Sequence, residues 1–319
     1  MTKHKSLSRI LPWLLLGIIL AACSPQSTEA PTITPTASEQ AQSSATPTPT
    51  QEPISETVST ETTEENPQQT PTMPIYIPLD PEDWQNWPVI PGLSPQMIDL
   101  YKHGLELGRD PHAFSVIGDC QSSPTYFLSI YDEGRYALPE GQEYLQETID
   151  WYAGSFSHLS ITVKNGMTAP GVLNPLWRDI QLCESNETPI ICEVRVNNPS
   201  LAIISLGTNW LPSTSYDQYV DYLAEIVRLL LSQGVIPVLS TKADNIEGDY
   251  SRNLAMAEVA AEYSLPLWNF WAAVEHLPNR GLDNTREDVY LVHDGWDVRN
   301  LSALELLDHL HKQLLESEE

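Results

Sequence analysis

The chain has 319 residues and a formal charge of −27, with 43 acidic against 16 basic side chains. A chain this acidic repels phosphate backbones, which excludes nucleic acid as a partner class. The length admits one or two domains, but the composition changes sharply along the chain.

The first residues read as an export signal. Lys3, Lys5 and Arg9 form a positive start, and Ile10 to Leu20 form an apolar stretch too short to span a membrane comfortably. It ends in Leu20-Ala21-Ala22-Cys23, which resembles the lipobox of bacterial lipoproteins. The resemblance implies that residues 1–22 are a signal peptide and that Cys23 carries lipid. The acyl chains would then anchor the protein to a membrane, facing the cell exterior or the periplasm. Residues 23–73 are rich in Thr, Pro, Ser, Gln and Glu, with almost no large apolar side chains. Such a segment buries too little surface to offset the entropy of ordering it, so a disordered tether is expected.

Residues 74–319 hold the folded part. The stretch from Pro74 to about Arg109, with Trp84, Trp87 and a helix expected over Ser94 to Leu107, reads as a wrap over a domain. Phe114 to Asp119 is the first expected strand, and Gly141 to Tyr152 has helical spacing. His158 to Val163 is β-rich and ends at Asn165-Gly166. Leu201 to Leu206 is a continuous apolar strand ending at Gly207-Thr208-Asn209. Tyr216 to Gln233 is an amphipathic helix closed by Gly234. Val235 to Ser240 is a strand, Asn253 to Tyr263 a helix, Leu265 to Phe270 a short strand, and Leu301 to Leu315 the closing helix. Unbroken apolar strands alternating with helices predict an α/β three-layer sandwich with a mostly parallel sheet.

Cys183 and Cys192 flank a segment rich in turn formers, and in an oxidising compartment their expected state is a local disulfide. With Cys23 assigned to lipid, Cys120 is the odd cysteine, either a buried small hydrophobe or a reactive thiol.

Three expected strand ends carry Gly118-Asp119-Cys120, Asn165-Gly166 and Gly207-Thr208-Asn209. Their order and spacing resemble the SGNH (GDSL-type) hydrolases, a flavodoxin-like α/β family of esterases, lipases and deacylases. The resemblance runs from about Phe114 to the C-terminus. It implies that Cys120 stands where the family has its Ser nucleophile. It also implies that Gly166, or alternatively Gly171, and Asn209 hold the oxyanion. The family's last block is Asp-x-x-His, ahead of the terminal helix.

That block is not intact here. Asp294-Gly295-Trp296-Asp297 ends in Asp, and the imidazole nearest in sequence is His293, five residues after Asp288. His293 as base with Asp288 as its partner is the catalytic set that the resemblance leaves available. Two readings follow. One is an acyl-ester hydrolase acting on a small-molecule or glycan ester through Cys120, and the other is a catalytically degenerate module that binds a carbohydrate or other ligand. Neither implies a cofactor, and the remaining histidines show no metal-ligand spacing. Trp268 and Trp271 are expected in the core, whereas Trp210 and Trp296 would offer flat faces if they line the cleft.

Overall fold

A computed structural model describes residues 79–317. The expected signal peptide, Cys23 and the tether lie outside the described residues.

Within them, β1 (Asp110–Gly118), β2 (Pro199–Ser205), β3 (Ile236–Ser240) and β4 (Leu267–Trp268) lie side by side in chain order, all parallel. One row of the sheet runs Ile117, Ile204, Leu239, Leu267. Ile203, Ile204, Val238 and Leu239 have no exposed surface, which is why these strands read as unbroken apolar runs rather than alternating ones.

The helix α1 (Pro95–Glu106) precedes β1. Between β1 and β2 come α2 (Ser129–Asp132), α3 (Leu145–Trp151), α4 (Ala169–Val172) and α5 (Pro189–Asn197). The crossovers α6 (Tyr216–Ser232) and α7 (Ser251–Tyr263) follow β2 and β3, and α8 (Phe270–Ala273) and α9 (His293–Glu316) end the chain. Parallel neighbours require such crossovers because a tight turn cannot reverse the chain twice. The group α5, α6 and α7 packs together, as does the group α3, α8 and α9, and helices cover both faces of the sheet. The architecture is a three-layer α/β sandwich, as the alternating pattern implied.

Local chemistry sets the ends of these elements. Ser94 caps α1, with Pro at its start. Ser215 and Gln218 form a capping box on α6, and Gly234 closes that helix with φ +69°. The N-terminal segment does wrap the domain. Trp84 and Trp87 are buried, and Asn269 Nδ2 donates to both of their carbonyls, at 2.9 and 3.1 Å.

Four local expectations need correction. His158 to Val163 is not a strand in this structure. Side chains take over its ladder: Thr162 Oγ1 donates to Val116 O at 3.0 Å, and Ile161 N donates to Glu193 Oε2 at 2.8 Å. The turn-rich stretch between the cysteines contains the start of α5, because Thr188 caps and Pro189 starts a helix. The Cys183–Cys192 disulfide itself forms. The last strand is shorter than expected, because Asn269 caps α8 immediately after Trp268. Finally, α9 begins at His293 rather than Leu301, its first turns hidden in sequence by Asp294, Asp297, Arg299 and Asn300.

Gly104 on α1 lies against the turn that closes α6, so that a Cβ there would overlap Gly234 O. Backbone on both sides leaves little room to relax. Gly104→Ala should therefore destabilise the fold by roughly 1–3 kcal/mol, read as a lower midpoint in urea unfolding.

Candidate functional site

The strand ends converge on two small cavities. β1 stops at Gly118, where a Cβ would collide with Ser122 Oγ, and the chain then turns through one helical turn at Cys120–Ser122. Asp119 caps that turn, its carboxylate accepting from Gln121 N at 2.9 Å. Its other oxygen accepts from Asn209 Nδ2, on the loop after β2, at 3.2 Å.

Arg299 reaches the same place from α9. Its Nη1 donates to Gln121 O at 2.7 Å and its Nη2 to Ser205 Oγ at 3.0 Å. Its guanidinium lies 4.3 Å from the centre of the Phe127 ring. From the end of β3, Lys242 Nζ meets Asp244 Oδ1 and Glu247 Oε2, both at 2.6 Å, and Thr208 Oγ1 donates to Asp244 Oδ2 at 2.7 Å. Asp119, Ser205, Thr208, Lys242, Asp244 and Arg299 line an inner cavity of about 20 Å³, room for roughly one water.

The electrostatics follow from burial. Desolvation raises the Asp119 carboxyl to about 6, and Asp244 adds to the rise, while the Gln121 N–H and the Arg299 charge oppose it. Desolvation likewise lowers Arg299 to about 10, against the pull of Asp119. The two charges do not meet in a direct ion pair. They share the chamber through Gln121, whose N–H serves one and whose carbonyl serves the other.

An outer cleft of about 30 Å³ is lined by Cys120, Thr208, Asn209, Ile246, Asp288 and Val289. The structure thus brings Cys120, Asn209 and Asp288 together. The expectation that Cys120 is left as an odd thiol is not met, since its sulfur is disulfide-bonded. Asp288 is engaged twice by Arg286, through Nε and Nη2 at 2.8 Å each, and the Arg286 hydrogen bonds hold its carboxyl below the usual range. His293 is the first residue of α9, with an 87% exposed side chain whose Nδ1 meets Asp297 at 2.9 Å. It lines neither cavity. Gly166 sits in an open turn at φ +73° and also lines neither. The N–H of Gly171, the alternative donor, is already given to Thr168.

Trp268 and Trp271 are buried, as expected of core residues. Trp296 stacks on Tyr126 at 5.5 Å rather than lining either cavity. Among the described residues, His293, Asp294 and Asp297 bring ligand atoms within 4.8 Å of one another. They do so at the exposed, partially positive start of a helix, a poor place for a cation. The residues that sequence reasoning missed are Arg299, Lys242 and Asp244. A Lys and an Asp immediately after a fully apolar strand, and an Arg on the apolar stripe of a helix, were the available signals.

Solved structures similar to this chain include a GDSL-like lipase from Bacteroides thetaiotaomicron, at 14% identity and TM-score 0.38, covering 70% of this chain and 100% of that one. A lipase/acylhydrolase from Enterococcus faecalis has 15% identity and TM-score 0.39, over 63% and 96% of the two chains. The SGNH-hydrolase family esterase AlinE4 has 19% identity and TM-score 0.34, over 65% and 97%. No protein-family model and no curated protein matches the sequence. The similar structures are lipases, acylhydrolases and esterases of the kind that the strand-end blocks resemble, and at these identities the likeness concerns the fold.

Asp119 holds a proton more tightly folded than unfolded. Between its ordinary value of 3.8 and about 6 the folded state binds more protons, so this contribution to stability is present at low pH and lost as pH rises through about 6. Thermal melts from about pH 4 to about pH 7 should show the wild type losing stability relative to Asp119→Asn across that window, and parallel profiles would count against a buried, titrating Asp119.

Proposed function

We propose that this chain is an exported protein whose α/β domain binds a small polar or glycan ligand at its strand ends and does not cleave it. One observation carries the reading: the expected general base, His293, faces solvent on Asp297 and does not line the cleft that Cys120 and Asn209 share. Acyl transfer needs a base within hydrogen-bond reach of the nucleophile, directly or through one water. It also needs donors aimed at the developing oxyanion, and one of the two Asn209 amide N–H groups is given to Asp119. With Asp288 held by Arg286, the hydrolytic set that the resemblance offered is dispersed among other partners. A cleft edged by hydroxyl, amide and carboxylate groups retains the means to hold a polar ligand.

The second reading, ester hydrolysis with Cys120 as nucleophile, His293 as base and Gly166 with Asn209 holding the oxyanion, is favoured by the shared cleft of Cys120, Asn209 and Asp288. It requires that the Cys120 disulfide be reduced and that His293 turn inward. Hydrolysis of p-nitrophenyl acetate and butyrate, with and without a phosphine reductant, separates the two. Binding without cleavage expects no turnover above background in either condition. Turnover that appears on reduction and disappears in Cys120→Ala would establish the enzyme.

Export and anchoring through a lipid on Cys23 belong to the same proposal. The Cys183–Cys192 disulfide supports an oxidising compartment. Metabolic labelling with an alkyne fatty acid should mark the chain, with the label lost in Cys23→Ala. A chain without label would reject the anchor.

A further inference from the structure

Beside the strand ends lies a larger cavity, of about 480 Å³, between the loop after β2 and the starts of α6 and α7. Trp210, Tyr216, Glu247, Asp249, Ser251 and Arg252 line it. Trp210 directly follows Asn209 and is only half-buried, an unusual place for so large an apolar ring. It is nonetheless held in place. Arg252, 3% exposed, sets its guanidinium 4.6 Å from the Trp210 ring centre and 4.6 Å from that of Tyr219. Its Nη2 donates to Thr214 O at 3.2 Å, tying the loop to α7. Among the described residues, Arg252 Nε and Nη1 meet no acceptor. The guanidinium therefore acts as a clamp between two rings, and a desolvated cation over an aromatic face is a strong one.

The polar wall is acidic. Asp249 is exposed, and its carboxyl is held low by the Ser251 hydroxyl and N–H. Glu247 joins this cavity to the inner chamber, since Lys242 binds it from the chamber side. Ionised carboxylates at the wall disfavour phosphate, sulfate and carboxylate ligands. They favour hydroxyl groups, which can donate to them. A pinned tryptophan beside hydroxyl acceptors, in a cavity large enough for one or two sugar rings, matches a pyranose with an apolar face and a polar rim.

We infer that the Trp210 cavity is a subsite for a neutral sugar ring of an oligosaccharide, with the ring face on Trp210 and its hydroxyls on Asp249 and Ser251. This deepens the binding function proposed above and rests on it, since the same ligand would run from Trp210 to Asn209.

The test is calorimetric titration of the full chain in detergent with cellotetraose, maltotetraose and triacetylchitotriose. At least one should bind. Trp210→Ala should weaken it by about two- to tenfold, the worth of one aromatic stack. Asp249→Asn should weaken it in the same direction, and Trp177→Ala, an exposed tryptophan away from the cavity, should leave it unchanged. Loss in Trp210→Ala but not in Asn209→Ala would keep the subsite and reject the strand-end cleft as part of the ligand site. Binding to none of the three sugars, or binding indifferent to both Trp210→Ala and Asp249→Asn, would overturn the inference.

Discussion

Arg299 and Asp119 place opposite charges inside one small chamber at the carboxyl ends of the strands, and much of the site's geometry answers to that placement. Removing either charge from water is costly, and each lessens the cost of the other without a direct salt bridge. Hydrogen-bond partners come from the ends of the strands themselves, the Gln121 amide and carbonyl, the Ser205 hydroxyl and the Asn209 amide, while Arg299 Nε meets no acceptor among the described residues. These partners come from β1, β2 and their following loops, while Arg299 comes from α9. The chamber thus fixes where the last helix sits relative to the sheet. Truncating one partner would leave the other as an uncompensated buried charge, a far larger penalty than losing a surface pair.

The same constraint decides what the strand ends can do chemically. In an acyl-transfer site, donors must be poised and unspent until charge develops on the substrate. Here one of the two Asn209 amide N–H groups has a resident acceptor in Asp119, and Asp288 has a resident donor in Arg286. In the proposed reading, this arrangement holds a ligand in place.

The layers of the fold were legible because parallel strands covered on both faces leave a simple mark, unbroken runs such as Leu201 to Ser205 and Ile236 to Leu239. Boundaries were less so where side chains replace backbone partners. His158 to Val163 has strand composition, yet Glu193 and the Thr162 hydroxyl satisfy its backbone neighbourhood. No periodicity reports such tertiary hydrogen bonds. The start of α9 was hidden for the opposite reason. In its first two turns Arg299 lines the polar chamber and Asn300 accepts from Leu128 N, so both are buried without being apolar.

Of the candidate site, the family resemblance pointed to Cys120, Asn209 and Asp288, which share the outer cleft, and to His293 and Gly166, which do not line it, and it missed the charges that surround them. Lys242 and Asp244 are only two positions apart and pair with each other, a local arrangement that any strand-end loop might hold. Arg299 carries the sharper signal. It stands one helical turn before Ala303 and two before Leu306, on the stripe that α9 buries. A cation on an apolar stripe needs a buried anion or acceptor within reach, and the strand-end turn beginning at Asp119 is where the fold supplies one. Reading that stripe for its exception, rather than for its rule, leads from sequence to the chamber without any catalytic motif.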